Sequence, residues 1–189
     1  AIAGAIDVFQ RAGATRVEVA LPPTFEQAAW DWEALCAAEA ALAHEATYPA
    51  RADDYGPTLA HLIELGRSLS GVELARLQRR RRAVSGELSR LLTTVDLLLL
   101  PVMGRAAPTI AWMTEVGRTP ETVAARLRYT APFDMSGQPT ITLPGGFNRD
   151  GVPVGFQIVG AAFDEPGVFA AAHVYQGETD WHLRRPPIE

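Results

Sequence analysis

Lysine is absent from this sequence: all 17 of its basic residues are arginine. Arginine stays protonated in proteins, whereas lysine can be held neutral and then serve as a base or an amine nucleophile. Reactions that depend on such an amine therefore cannot be run by this chain's own side chains. Cysteine is nearly absent too. Cys36 stands alone, which excludes an intrachain disulfide and fits a cytoplasmic setting. No apolar run is long enough to cross a bilayer, since Val95 to Val102 falls far short, and no membrane partner is expected. The histidines His44, His61, His173 and His182 lack ligand spacing, so neither a metal site nor a cofactor is expected. A Gly-x-Ser-x-Gly elbow is missing. The net charge of −5 argues against a nucleic-acid partner. The sequence does not begin with Met, and the expectation is that an N-terminal part precedes Ala1. Residues Ala1 to Asp7 lack the basic start and apolar stretch of an export signal.

What is present suits a globular α/β domain, with 48% hydrophobic and 21% charged residues over 189 positions. Ile2, Ile6 and Phe9 share a helical face that Gly13 can terminate. Arg16 to Leu21 alternates like a strand and ends at Pro22-Pro23. Thr24 is in place to cap a long helix from Phe25 to about Glu45. Further helices are predicted over Thr58–Leu69 and, opened by the capping-box pair Ser70 and Glu73, through Leu91. Asp96 to Leu100 reads as a strand buried on both faces. Thr119-Pro120 and Asp164 mark two more helix starts. Together these predict one domain without an internal boundary, a mixed β-sheet core covered by helices on both faces. Arg79 to Arg82 project around the whole circumference of their helix, which favours a solvated face or a partner contact over a nucleic-acid patch. Cys36 reads as a structural thiol on an apolar helix face, and Ser136, before Gly137, as turn chemistry.

The most ordered stretch is Tyr129 to Gly160, YTAPFDMSGQPTITLPGGFNRDGVPVGFQIVG. Thr140–Leu143 and Val154–Val159 read as paired strands, joined through Asp150-Gly151, a pair suited to the positive φ of a tight turn. In the second strand Val154, Phe156 and Ile158 point one way, and Gly155, Gln157 and Val159 the other. Pro144-Gly-Gly146 reads as a strand-end kink, and the segment before the hairpin, with Thr130, Phe133, Asp134 and Ser136, as a loop. The order T-x-P-F-D-x-x-G-x-P-x-I-T-L-P-x-G-F, then D-G-x-P-x-G-x-Q-I-V-G and F-D-E, resembles the C-terminal signature of the amidase signature family. The resemblance continues through Thr179-Asp-Trp-His182 and back to Asp96–Pro101, and more weakly to the N-terminal helix and strand. Asp134 departs from it, because the family more often has Asn there.

The resemblance implies a C-terminal half of an amidase that cleaves C–N bonds of linear amides through an acyl-serine intermediate. In that family a Ser–Ser–Lys triad does the chemistry, and its members lie in the first half of the sequence. No counterpart is found here, so this chain is expected to hold no catalytic residue and to be inactive alone. It also implies that Pro101–Ile110 and Thr130–Ser136 lie at the mouth of the substrate tunnel. Met103, Trp112 and Phe133 are then candidates to hold the acyl portion and Asp134 to orient a polar group, beside the plainer reading that all four pack in core and loops. The expected partners are a small amide substrate and the N-terminal half of the same protein. The bare edge of a halved sheet would also favour association of copies. The alternative is an inactive interaction subunit or remnant that docks to a partner carrying the catalytic residues.

Overall fold

The structure, a computed structural model, describes residues 1–105, 107–115 and 119–185. Its helices are α1 (Ile2–Arg11), α2 (Thr24–Ala43), α3 (Pro57–Ser68), α4 (Gly71–Leu91), α5 (Ile110–Glu115), α6 (Pro120–Leu127), α7 (Ala131–Ser136) and α8 (Glu165–Gly177). Three strands, β1 (Leu97–Pro101), β2 (Thr140–Phe147) and β3 (Pro153–Gly160), form one sheet in the order β1-β3-β2. The α/β architecture agrees with the sequence reading. Where a mixed sheet was expected, these three strands pair antiparallel throughout.

β3 is central because both of its edges are used. Leu98 faces Val159 and Leu100 faces Gln157 on one side, while Ile141 faces Ile158 and Leu143 faces Phe156 on the other. The period of two divides its residues between two cores. Val159 joins Leu98, Leu100, Phe25, Leu88 and Phe133 under α2, α4 and α7. Phe156 and Ile158 join Leu143, Val8, Ala172 and Tyr175 under α1 and α8. Phe156 and Ile158 are buried, and each contributes roughly 1.5–3 kcal/mol. The hairpin closes through Asn148, whose Oδ1 accepts the N–H groups of Asp150 at 3.0 Å and Val152 at 2.8 Å. Gly151 takes φ 76°, as the Asp-Gly pair predicts. β2 runs on past Leu143 through a register shift between Pro144 and Phe147, where Gly146 sits at φ 134°.

Most predicted helix ends are observed. Ser70 and Glu73 form a capping box, and the side chains of Thr119 and Asp164 accept bonds from the N–H groups of Thr122 and Gly167. Thr24 is an exception: it makes no cap bond, and its hydroxyl donates instead to Glu87 of α4. Arg16–Leu21 forms no strand. It runs as a segment without a ladder partner among the described residues, leaving Val17 58% and Val19 37% exposed. The alternation suited a strand, but a strand also needs a neighbour. The segment before β2, read as a loop, contains the short helix α7, entered through Pro132 and closed by Gly137 at φ 82°.

Two arginines of the 79–82 run, both partly exposed, bond to neighbouring elements. Arg80 makes a two-pronged bond to the buried carboxylate of Asp31 on α2, with Nη2 2.8 Å from Oδ1, and Gln27 donates to the same oxygen at 3.0 Å. Arg81 donates to the carbonyl of Met135 at 2.8 Å. These contacts tie α4 to α2 and α7.

The pairing of α2 with α3 depends on Gly66. A Cβ at that position would lie 1.9 Å from the Ala37 carbonyl oxygen and 2.4 Å from its carbon. Backbone cannot yield as a side chain can, so Gly66→Ala should destabilise the protein by roughly 2–3 kcal/mol. Denaturant unfolding would show a lower midpoint, and an unchanged midpoint would contradict the close approach.

Candidate functional site

β1 ends at Pro101, and α5 begins at Ile110. Met103 and Trp112 are half-buried there. The Arg105 guanidinium lies over the Trp112 ring, 4.2 Å from its centroid, a contact worth about 0.5–1 kcal/mol at an exposed site. Arg126 of α6 reaches the Met113 sulfur at 3.3 Å, so α5 is held against its neighbour. Gly104 lies beside the Tyr129 ring, where a Cβ would stand 3.8 Å from Cε2. Met103 and Trp112 thus belong to one loop-and-helix unit at the C-terminal end of β1.

Phe133 and Asp134, adjacent in sequence, go separate ways. Phe133 is only 2% exposed and meets Phe25 edge-on, with ring centroids 5.5 Å apart. Its ring is part of the helical core and has no free face for a ligand. Asp134 lies on the exposed side of α7, toward Trp32 and Cys36 of α2. Partial burial pushes its carboxyl above the usual carboxylate range, and the bond with Trp32 acts against that shift. Of the four candidate residues, Met103 lies in the loop after β1 and Trp112 on α5, Phe133 is core, and Asp134 faces α2.

Cys36 and Ser136, the nucleophilic side chains singled out by the sequence, are not poised to attack. Burial, followed by the nearby carboxylates of Glu39 and Asp134, raises the Cys36 thiol above its ordinary range, so it stays protonated at neutral pH. Ser136 donates to the Phe133 carbonyl at 3.4 Å, and its own carbonyl accepts from Ser85 at 3.1 Å. His44 Nδ1 pairs with the Tyr55 hydroxyl at 3.1 Å, within the turn that follows α2. Among the described residues no three His, Cys, Asp or Glu side chains converge as a metal site, and no helix is long and apolar enough to cross a membrane.

A separate concavity lies elsewhere. A cavity of about 760 Å³ separates the segment Gly13–Leu21 from β1, with Val17, Val19, Leu97, Leu99 and Ile158 on its walls. It follows the outer edge of β1, the side not paired with β3.

Comparison with known proteins decides the family. A family model described as Amidase matches residues 1–169. The chain belongs to the amidase family. A Mycobacterium tuberculosis protein named as an amidase, AmiD, is 44% identical over 152 residues, which are 80% of this chain and 32% of that protein. A glutamyl-tRNA(Gln) amidotransferase chain of Methanosarcina acetivorans is 32% identical over 209 residues, covering 99% of this chain and 43% of that one. In three dimensions the chain superposes on 6-aminohexanoate cyclic dimer hydrolase with a TM-score of 0.81 at 27% identity, covering 98% of this chain and 42% of the hydrolase. It therefore spans less than half the length of these family members.

Two residues of this region escaped the sequence reading. Arg105 lies in a stretch that looks like plain loop, and its stacking depends on α5, a helix too short to show periodicity. Gln157 stands at an inward strand position, and its alternation was visible while its bonding partners were not.

The Asp134 carboxyl gives a test with a defined sign. Its folded pKa is raised, so its charged form is disfavoured on folding, a cost present above that pKa and relieved as the pH falls below the unfolded value. Asp134→Asn should raise stability at neutral pH by an amount that solvent screening keeps below about 1 kcal/mol. The gain should disappear in acid. A variant that is less stable than the parent at neutral pH would contradict the assignment.

Proposed function

We propose that this chain is the C-terminal part of an amidase-family hydrolase that cleaves the C–N bonds of linear amides through an acyl-serine intermediate. The observation that carries the reading is the absence of lysine in a chain of this family. A serine–serine–lysine mechanism needs a neutral lysine to accept the proton of the attacking serine, relayed by the second serine. That amine, and the two serines acting with it, belong to polypeptide outside residues 1–189. In the complete protein the serine oxygen bonds to the amide carbonyl carbon, the amine departs with the relayed proton, and water then releases the acid.

Residues 1–189 supply sheet, covering helices and one wall of the substrate pocket. Met103 and Trp112, half-buried at the end of β1, provide apolar surface for the acyl chain. Asp134 orients a polar group where α7 meets α2, and Phe133 acts from the core by holding α7 in place. The partner is the N-terminal half of the same protein. The cavity beside β1 supports this, because the β1 edge and the Arg16–Leu21 segment both face it without strand partners of their own. Coverage of only 32–43% of the relatives supports it as well.

A serine-directed fluorophosphonate probe tests the division of labour. The complete polypeptide should be labelled stoichiometrically at a serine outside residues 1–189 and should hydrolyse linear amides. Residues 1–189 alone should do neither, and stoichiometric labelling of the isolated chain would overturn the proposal.

A further inference from the structure

Gln157 is a polar side chain at the centre of an otherwise apolar strand, 2% exposed. Burying an amide is costly unless its donors are satisfied. Its Nε2 donates to two main-chain carbonyls, that of Pro101 at 3.1 Å and that of Tyr129. Both acceptors are carbonyl oxygens, so only the NH₂ end of the amide can face them, and the orientation follows from chemistry. The two acceptors are far apart in sequence. Pro101 ends β1 and begins the loop that carries Met103 and Arg105, and Tyr129 lies in the turn between α6 and α7. Among the described residues, neither carbonyl bonds to the other segment directly. One side chain therefore sets the spacing between the two segments.

We infer that Gln157 is a positioning residue for the substrate pocket, holding the loop after β1 and the entry to α7 at the separation that an acyl chain occupies. This rests on the amidase reading above. Gln157 touches no reacting atom. It acts through Pro101 and Tyr129, from the strand that both flanking strands hold in place, so its own position is well fixed. Without the amide, the two carbonyls would lose their shared donor and the segments would be free to separate. A substrate whose acyl chain reaches both segments would bind less well, while a substrate too short to reach them would not notice.

The test is steady-state hydrolysis by the complete polypeptide, with acetamide and hexanamide as substrates, each protein assayed well below its own melting temperature. Gln157→Met keeps the volume and removes the donors. It should raise KM for hexanamide about tenfold and leave KM for acetamide unchanged. Gln157→Glu places a carboxylate against two carbonyl oxygens, and burial among acceptors raises its pKa. KM for hexanamide should therefore be high at neutral pH and fall as the pH is lowered, when the protonated carboxyl can donate to one carbonyl. The Met variant should show no such pH dependence. If it fails to fold, Gln157→Asn, which keeps the donors on a shorter stem, should raise KM for hexanamide by a smaller factor. A residue that served stability alone would lower the melting temperature and scale kcat for both substrates equally, with KM unmoved. That result would overturn the inference while the amidase reading stood. A wild-type protein that hydrolyses neither amide would instead overturn the amidase reading, and this inference with it.

Discussion

Leaving water obliges a backbone N–H to find an acceptor, and β3 is where this chain meets that obligation on both sides. An internal hydrogen bond contributes only about 1 kcal/mol net, yet a buried group left without one costs about 1–3 kcal/mol. β1 and β2 therefore align along β3, and the two cores follow from the alternation of its side chains. Only one edge of β1 is paired within the described residues. A cavity runs along its outer edge, and across it the Arg16–Leu21 segment has strand-like alternation and no ladder. An edge and an extended segment facing one another across a gap are what the proposed interruption of the sheet would leave.

The helical layer explains why α7 is orderly despite its length. A helix of six residues has little stability of its own. α4 supplies what it lacks through residues at successive turns. Arg81 bonds the Met135 carbonyl, Ser85 bonds the Ser136 carbonyl, and Ser89 accepts from Gln138. These contacts take up carbonyls at the end of α7 and hold the turn that leads into β2. Arg80, one residue away, anchors α4 itself to the buried Asp31. Two members of the arginine run, Arg80 and Arg81, thus have structural partners.

What could be read from the sequence was what local chemistry determines. Ser70 with Glu73, Thr119 with Pro120, Asp164, and the Asp-Gly turn all use short-range bonds, and each appears where its residues predict. The alternation of β3 correctly separated Gln157 from Phe156. The errors have one cause, partners distant in sequence. Thr24 found Glu87 instead of its own helix, Arg80 and Arg81 found acceptors on α2 and α7, and Arg16–Leu21 had no strand to pair with. Met103 and Trp112 are half-buried in the loop and helix after β1, whereas Phe133, a good apolar wall by residue type, was claimed by the core through Phe25. Residue type could nominate it, and only the packing could say which way it faced.

Amide hydrogen exchange at Val17–Leu21 is the most direct measurement, with Phe156–Val159 of β3 as the internal reference. In the isolated chain the β3 amides should be protected and those of Val17–Leu21 should exchange freely. In the complete polypeptide both sets should be protected, with exchange at Val17–Leu21 slowed at least about a hundredfold. If Val17–Leu21 were as protected as β3 in the chain alone, or remained unprotected in the complete protein, the account of an interrupted sheet would be contradicted.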